Sequence, residues 1–199
     1  MKGAQSFALE PWRIIGLDPG ANCVGFAIIE AQRANPFHPR DFKILDAGSL
    51  RTPRQASHAD KIGLIHDAVF LIAEKWAPNR GVIERAFFGV NHHSALRLGE
   101  ARGSLIAALR RLKIPVHEIA PAAVKKVIAG DGRATKEAVN LSLKMQLGFE
   151  LGRLPHDVSD AVAIAVGHCM LGTSASKLDL RSPNKMSKTW EQLIARREL

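Results

Sequence analysis

The sequence has few of the features that mark secreted or membrane proteins. It has only two cysteines among 199 residues, too few for a disulfide framework and not spaced as a metal motif. No apolar run approaches the roughly 20 residues that a membrane-spanning helix needs, and the first residues lack the apolar segment of a signal peptide. We therefore expect a cytoplasmic protein with reduced cysteines and no membrane partner.

Acidic residues are scarce relative to basic ones. The chain carries 28 lysines and arginines against 19 aspartates and glutamates, which gives a formal net charge of +9. A basic domain of this size commonly binds a polyanion, and nucleic acid is the polyanion that we expect. Part of the excess lies beyond residue 172, so a basic tail is an alternative explanation for some of it.

The hydrophobic pattern predicts one α/β domain with a five-stranded mixed sheet. Strands are expected at 13–17, 24–30, 42–49, 81–84 and 115–119, and helices at 59–76, after Ser94, from Pro121, after Thr135 and from Asp157. Three successive strands precede an alternation of helix and strand. This order predicts an antiparallel start followed by parallel strands that helical crossovers join, with helices on the faces of the sheet.

Two of the predicted strands end on acids. The apolar run that begins at Ile14 stops at Asp18, just before a Pro-Gly turn, and the fourth strand stops at Glu84. The last predicted helix opens with Asp157 and Asp160, which are three residues apart and share one helix face. Because sites in parallel sheets collect at the carboxyl ends of strands, we expect the four carboxylates to converge there.

Four converging carboxylates cannot all ionise without a cation that holds them together. Oxygen ligands suit Mg²⁺ or Mn²⁺, and in a basic protein such a centre predicts metal-dependent phosphodiester hydrolysis. Each acid also has an ordinary structural alternative. Asp18 suits a turn, Glu84 suits the surface, and the helix pair suits a cap and the helix dipole.

Basic residues flank a glycine-containing loop at 130–133. Lys125, Lys126 and Arg133 lie close to it, and such residues contact the phosphates of DNA without reading its sequence. The alternative is a solvated helix end. A second spacing involves Gly99 and Gly103, four residues apart on the long predicted helix. Small residues at this spacing allow a second helix to approach closely, either within the chain or from another copy.

Four stretches of the chain together resemble the RuvC-type Holliday junction resolvases, bacterial endonucleases of the RNase H-like fold. The stretches are GLDPGANCVGFAIIE, VIERAFFGVNHHSALRLGEARG, IAPAAVKKVIAGDGRATK and LPHDVSDAVAIAVGHC, in the order that the family has them. The resemblance implies an RNase H-like nuclease domain over 13–171, with an N-terminal extension at 1–12 and a basic C-terminal tail at 172–199.

The resemblance also implies roles for particular residues. The four acids fall on the catalytic and metal-binding positions of the family, with two Mg²⁺ expected in each active site and Mn²⁺ as a substitute. Lys125 and Lys136 fall on basic positions that contact DNA near the scissile phosphate. Phe87 falls on an aromatic position of the junction-binding loop, where a ring stacks on a base at the opened crossover. Phe88 is a rival for that role.

By the same resemblance the protein is a homodimer that resolves four-way DNA junctions in homologous recombination and repair. A two-fold symmetric dimer presents two equivalent sites to the two strands, and its two nicks leave 5′-phosphate and 3′-hydroxyl ends. The RuvA–RuvB branch-migration complex is the expected partner. Two alternatives stay open at this point, a junction-binding protein without nuclease activity and an ATPase related to actin and the sugar kinases.

Overall fold

Five strands and five helices form the part of the chain that the computed structural model describes, residues 11–20, 22–32, 42–85, 92–148 and 154–172. The strands are β1 (Trp12–Asp18), β2 (Cys23–Ala31), β3 (Phe42–Arg51), β4 (Arg80–Glu84) and β5 (Val116–Ile119). The helices are α1 (His58–Trp76), α2 (His92–Arg111), α3 (Pro121–Ala129), α4 (Lys136–Leu147) and α5 (His156–Leu171). No helix within these ranges is both long enough and apolar enough to cross a membrane.

The strands form one mixed sheet in the order β3-β2-β1-β4-β5. The first three strands pair antiparallel, whereas β4 lies parallel to β1 and β5 lies parallel to β4. The predicted fold class, an antiparallel start followed by parallel strands, is therefore confirmed. The central strand β1 contributes a nearly continuous buried run because helices cover both faces of the sheet.

Alternate side chains of the sheet enter two separate cores. Ile14 and Ile29 pack with α3, α4 and α5 on one face, whereas Ile15, Leu17 and Ile28 pack with α1 and α2 on the other. This division follows from the two-residue repeat of a strand, which sends successive side chains to opposite faces. The two helical layers hold the carboxyl ends of β1 and β4 at one edge of the domain.

Most helix starts agree with the sequence. Thr135 caps α4 as expected, since its side chain accepts a hydrogen bond from the amide of Ala138 at 3.2 Å. The expected cap at Ser94 is wrong, because α2 already begins at His92 and Ser94 lies inside it. The two residues before Ser94 are histidines, which do not break a helix as glycine or proline would. The helix can therefore start before Ser94.

Candidate active site

Asp18 and Glu84 lie side by side at the carboxyl edge of the sheet. The parallel register of β1 and β4 pairs Leu17 with Ile83, and the next residue along each strand is the acid. Both acids are half-buried, in contrast to the fully buried residues that precede them. The neighbouring ends of two parallel strands thus bring the two carboxylates together, as the sequence predicted.

Helix α5 reaches this edge because two glycines allow it to lie directly on the sheet. A Cβ atom on Gly16 would overlap the backbone oxygen of Ala161, and one on Gly25 would overlap the backbone oxygen of Asp157. The helix backbone therefore rests against β1 and β2 with no side chain between them. This close approach places the first turn of α5, with Asp160, next to the strand ends.

Three carboxylates and two lysines line one open cavity at this edge. Asp18, Glu84 and Asp160 share the cavity with Lys125 from α3 and Lys136 from α4, and its volume is about 320 Å³. Asn140 and apolar side chains of α3, α4 and α5 form the rest of the wall. The cavity thus combines three carboxylates with two basic side chains.

Burial and mutual repulsion oppose the ionisation of the acids in this cavity. Burial, followed by the charges of Asp160 and Glu84, raises the pKa of Asp18 to about 7. Burial and the charge of Asp160 also raise the pKa of Glu84, while Lys136 and Lys125 act in the opposite direction. A bound cation would stabilise the ionised carboxylates and so counteract both effects.

Lys136 supplies part of that relief. Its ammonium group donates a hydrogen bond to Asp160, and this bond is the main reason that the pKa of Lys136 is raised. The same charge acts to lower the pKa values of Asp18 and Glu84, although burial and the neighbouring carboxylates raise them overall. Lys136 therefore partly neutralises all three acids of the cavity.

Asp157 faces a different set of partners. Its Oδ2 accepts a hydrogen bond from the Cys23 thiol at 2.8 Å and another from the Ser49 hydroxyl. Burial acts to raise the pKa of Asp157, but these two bonds, a backbone hydrogen bond and the charge of Arg51 together outweigh it, so the pKa lies below its ordinary value. The structure thus brings three of the four predicted acids into one cavity, whereas Asp157 is hydrogen-bonded to Cys23 and Ser49.

Sequence reasoning missed Cys23 and Ser49 as partners of Asp157. The signal for Ser49 lies in the sheet register, where Gly25 pairs with Asp18 on one side and with Ser49 on the other. Ser49 therefore belongs to the same row of the sheet as Asp18. No local sequence pattern predicts this position of Ser49, because the row contains residues from strands that are distant in the sequence.

The donors at this edge fit a hard divalent cation in kind. Asp18, Glu84 and Asp160 offer carboxylate oxygens, which Mg²⁺ and Mn²⁺ prefer, and burial together with the neighbouring carboxylates raises the pKa of Asp18. In the arrangement of the described residues, no group of three or more His, Cys, Asp or Glu side chains is close enough together to hold a metal ion. Divalent-metal binding by these groups would need the carboxylates to lie closer together than they do here.

The other predicted DNA contacts lie at varying distances from the cavity. Lys125 lines it, whereas Arg133 lies exposed in the turn between α3 and α4, where its backbone amide donates to Asp131 Oδ1 at 2.9 Å. Phe87 and Phe88 lie outside the described residues, so the stacking role stays a prediction. Added Cβ atoms on Gly99 and Gly103 would contact nothing, so these glycines serve no packing role in the described part of the chain.

Residues 14–168 match the family model of the crossover junction endodeoxyribonuclease RuvC. The chain belongs to the RuvC family. RuvC of Chloroflexus aurantiacus is 33% identical over 168 residues, which is 84% of this chain and 99% of the relative. RuvC of Halothermothrix orenii is 34% identical over 155 residues, 78% of this chain and 90% of the relative.

Solved structures agree with this membership. The structure of Thermus thermophilus RuvC in complex with a Holliday junction substrate has a TM-score of 0.74 and 27% identity, and the match covers 83% of this chain and 97% of that one. The yeast mitochondrial Holliday junction resolvase Ydc2 has a TM-score of 0.50 and 15% identity, with 86% of this chain and 85% of that one covered. The second match bears on the fold alone. The RuvC family thus accounts for the whole described sheet and its helices.

Proposed function

We propose that the protein is an endonuclease that resolves four-way DNA junctions by two symmetric phosphodiester cuts, leaving 5′-phosphate and 3′-hydroxyl ends. Membership of the RuvC family implies a nuclease that depends on a divalent metal. The observation that carries the proposal is the meeting of Asp18, Glu84 and Asp160 with Lys125 and Lys136 in one cavity. Membership of this family does not favour the alternative of an actin-like or sugar-kinase-like ATPase.

The four acids are proposed to hold the metal, which we expect to be two Mg²⁺ ions, with Mn²⁺ as a substitute. When bound, such ions supply Lewis acidity toward the phosphoryl group and an activated water at neutral pH. Asp18, Glu84 and Asp160 contribute oxygens from the cavity, and Asp157 contributes the fourth carboxylate. The partly buried site opposes the charge of Asp18, so cation binding replaces a proton there as the compensating positive charge.

The lysines are proposed to position the scissile strand. Lys125 lies on the rim of the cavity and Lys136 contacts Asp160, so both can reach a phosphate above the acids. Arg133 is exposed in the next turn of the chain and suits a contact with a neighbouring phosphate. Backbone contacts of this kind fix the register of the DNA without reading its sequence. Phe87 is proposed to stack on a base at the crossover.

A homodimer is part of the proposal, since two symmetric cuts need two equivalent sites. Helix α2 offers a surface for it, because Gly99 and Gly103 leave room for a second helix and Leu96 is 63% exposed. The RuvA–RuvB branch-migration complex remains the proposed partner on the strength of family membership.

The test uses a labelled four-way junction, a linear duplex of the same sequence, Mg²⁺, and an Asp18→Asn variant. We expect paired nicks on the junction alone, and we expect the variant to bind the junction without cutting it. Equal cutting of both DNAs would leave a nuclease without junction selectivity. Tight junction binding without cutting, at every divalent metal and sequence tried, would overturn the nuclease assignment in favour of a binding protein.

A further inference from the structure

A second cavity lies beside Cys23, whose thiol donates a hydrogen bond to Asp157. Its lining comes from the start of β2, the end of β3, the turn that follows and the beginning of α1, and its volume is about 480 Å³. The lining residues are Asn22, Cys23, Arg51, Thr52, Arg54 and Lys61. We name this feature the basic cavity.

Hydrogen bonds to Asn22 connect the segments that line the basic cavity. The backbone amide of Thr52 donates to the backbone oxygen of Asn22 at 3.1 Å, and its hydroxyl donates to the same oxygen at 3.3 Å. Lys61 Nζ donates to Asn22 Oδ1 at 3.1 Å. These bonds join the β1–β2 turn, the end of β3 and helix α1, so the cavity is built by three elements.

Three cations meet in this cavity without a carboxylate among the lining residues. Lys61 is bonded to a neutral amide, and within the described ranges neither Arg51 nor Arg54 forms an ion pair. Like charges gathered on one concave surface raise the free energy of the protein, and a cleft lined by one sign of charge attracts counter-ions. The basic cavity is therefore suited to an anion with several negative groups.

The basic cavity adjoins the active site through one side chain. Cys23 lines it and also donates a hydrogen bond to Asp157 Oδ2 at 2.8 Å. Arg51 pairs with Cys23 in the sheet, and its charge contributes to the lowered pKa of Asp157. A polyanionic strand that lies over the acidic cavity can thus continue along the same edge of the sheet into the basic one.

We propose that the basic cavity binds backbone phosphates of the DNA strand that flank the scissile phosphate. This inference rests on the proposed function, because it extends the same DNA path across the edge of the sheet. The contacts would be made by guanidinium and ammonium groups to phosphate oxygens. They hold the strand in register over the carboxylates and do not select a sequence. A free phosphate or a mononucleotide shares this chemistry, so the experiment separates the two sources.

The first measurement compares junction binding in EDTA, where cutting does not interfere, for the wild-type protein, Arg54→Gln and Lys61→Gln. We expect the Kd of each variant to rise roughly tenfold, and the slope of log Kd against log salt to fall by about 1 for each lost phosphate contact. Lys43→Gln is the matched control, since Lys43 is an exposed cation near the other end of β3, and its Kd and slope should match the wild type. Arg54→Lys should restore most of the slope.

The second measurement locates the contact on the DNA. Junctions that carry a single neutral methylphosphonate, moved one phosphate at a time around the cut site, are bound to the wild-type protein and to Arg54→Gln. We expect one position, or two adjacent ones, beside the scissile phosphate to weaken binding by the wild type and to have no further effect on the variant. Such coupling cannot arise from a general loss of fold, which thermal unfolding of each variant would reveal separately.

Two outcomes overturn the inference, and they differ from failure of the proposed function. If the wild type binds and cuts junctions but the variants keep its salt slope and couple to no phosphate, the basic cavity does not bind DNA. If inorganic phosphate or a mononucleotide protects the wild type but not Arg54→Gln from thermal unfolding, while the junction affinities of the two proteins agree, the cavity is a small-anion site. A wild type that neither binds nor cuts junctions instead contradicts the proposed function itself.

Discussion

The carboxyl of Asp18 is about half protonated at pH 7, because burial and the charges of Asp160 and Glu84 raise its pKa to about 7. Its folded-state pKa lies above the unfolded value of 3.8, so the folded chain binds more protons than the unfolded chain between these values. Stability from this group is lost as the pH rises through that window. A functional carboxylate thus reduces the stability of the fold that carries it, a common cost of active sites.

We expect Asp18→Asn to stabilise the protein in EDTA while it abolishes cutting. Removing the ionisable group at about pH 8 should raise the free energy of unfolding by about 2 kcal/mol, less than the full pKa difference because the carboxyl is partly exposed. Chemical denaturation of both proteins measures this, and added Mg²⁺ should stabilise the wild type more than the variant. A variant that is less stable than the wild type in EDTA would contradict the electrostatic account.

We propose that Lys136 competes with a divalent metal for the same carboxylates, because it donates to Asp160 and acts to lower the pKa values of Asp18 and Glu84. We expect Lys136→Gln to bind Mn²⁺ more tightly without DNA, by roughly tenfold, and yet to cut on the order of 100-fold more slowly because a phosphate-positioning charge is lost. Calorimetric Mn²⁺ titration and single-turnover cutting test the two parts. Lys43→Gln, an exposed lysine near the start of β3, should change neither, and weaker Mn²⁺ binding by Lys136→Gln would refute the competition.

At the scale of single residues, the sequence predicted the convergence of Asp18, Glu84 and Asp160, because strand ends and helix spacing are local patterns. It did not predict that Asp157 would turn toward Cys23 and Ser49. The basic cavity escaped notice for a related reason. Arg51 and Arg54 follow β3 in the sequence, whereas Asn22 lies in the β1–β2 turn, and the pairing of β2 with β3 brings these segments together.

At the scale of secondary structure, the contact between α5 and the sheet sets the geometry of the site. Gly16 and Gly25 have no side chains to separate the helix from β1 and β2. Overpacking at such a contact costs about 1–3 kcal/mol, since backbone must shift to make room. The shift would move the first turn of α5, which carries Asp157 and Asp160, away from Asp18.

We expect Gly25→Ala to lower the free energy of unfolding by about 2 kcal/mol or more and to reduce cutting far more than junction binding. Gly63→Ala is the matched control, because an added methyl group on that exposed position of α1 would contact nothing. Alanine is favoured over glycine inside a helix by about 1 kcal/mol, so the control should be slightly more stable and fully active. Denaturation curves and cutting rates distinguish the two, and an unimpaired Gly25→Ala would contradict the close-approach account.

The element boundaries illustrate which signals are local. The cap of α4 at Thr135 and the proline at the start of α3 were predicted because both act through their own backbone neighbours. The close packing of α5 was not foreseen from Gly16 and Gly25, although both glycines stand in the first apolar stretch. A glycine in a strand signals a close approach only once the opposing element is known.

At the scale of the whole molecule, the edge of the sheet opposite the active site contains a buried histidine. His168, near the end of α5, is 4% exposed, and its ring lies 4.9 Å from that of His117 and 6.0 Å from that of Trp12. Burial, followed by the charges of His117 and Arg80, lowers the pKa of His168 to about 4. The folded state therefore favours the neutral ring, and stability from this group is present above about pH 6.5 and lost as the pH falls toward about 4.

We expect the wild-type protein to lose up to about 3 kcal/mol of stability through His168 across that range, and His168→Gln to lose much less. The difference between the two pH profiles carries the test, because carboxylates titrate in the same range in both proteins. His66→Gln, which changes a histidine on α1 that contacts Asp67, should leave the profile unchanged. Parallel wild-type and His168→Gln profiles would contradict this role for the buried ring.

The directions of the strands and the presence of helical layers were predictable from the chain, because alternation of apolar runs limits the connections available to a small domain. The spatial order β3-β2-β1-β4-β5 was not predicted. The N-terminal extension at 1–12 and the basic tail at 172–199 were predicted, and most of their residues lie outside the described ranges. Their boundaries therefore stay predictions.

The two glycines beneath α5 bear on how this family can change over evolutionary time. A mutation at Gly16 or Gly25 disturbs folding and chemistry together, because the same backbone contact supports the domain and aims Asp160. We expect a mutation at Asp18 to affect cutting while it spares the fold. In a library of random substitutions, we therefore expect both glycines to be depleted under selection for folding alone and again under selection for resolution, whereas Asp18 should be depleted only under the second. We thus expect evolutionary change near the carboxylates to be limited by Gly16 and Gly25, which are not among the proposed DNA contacts.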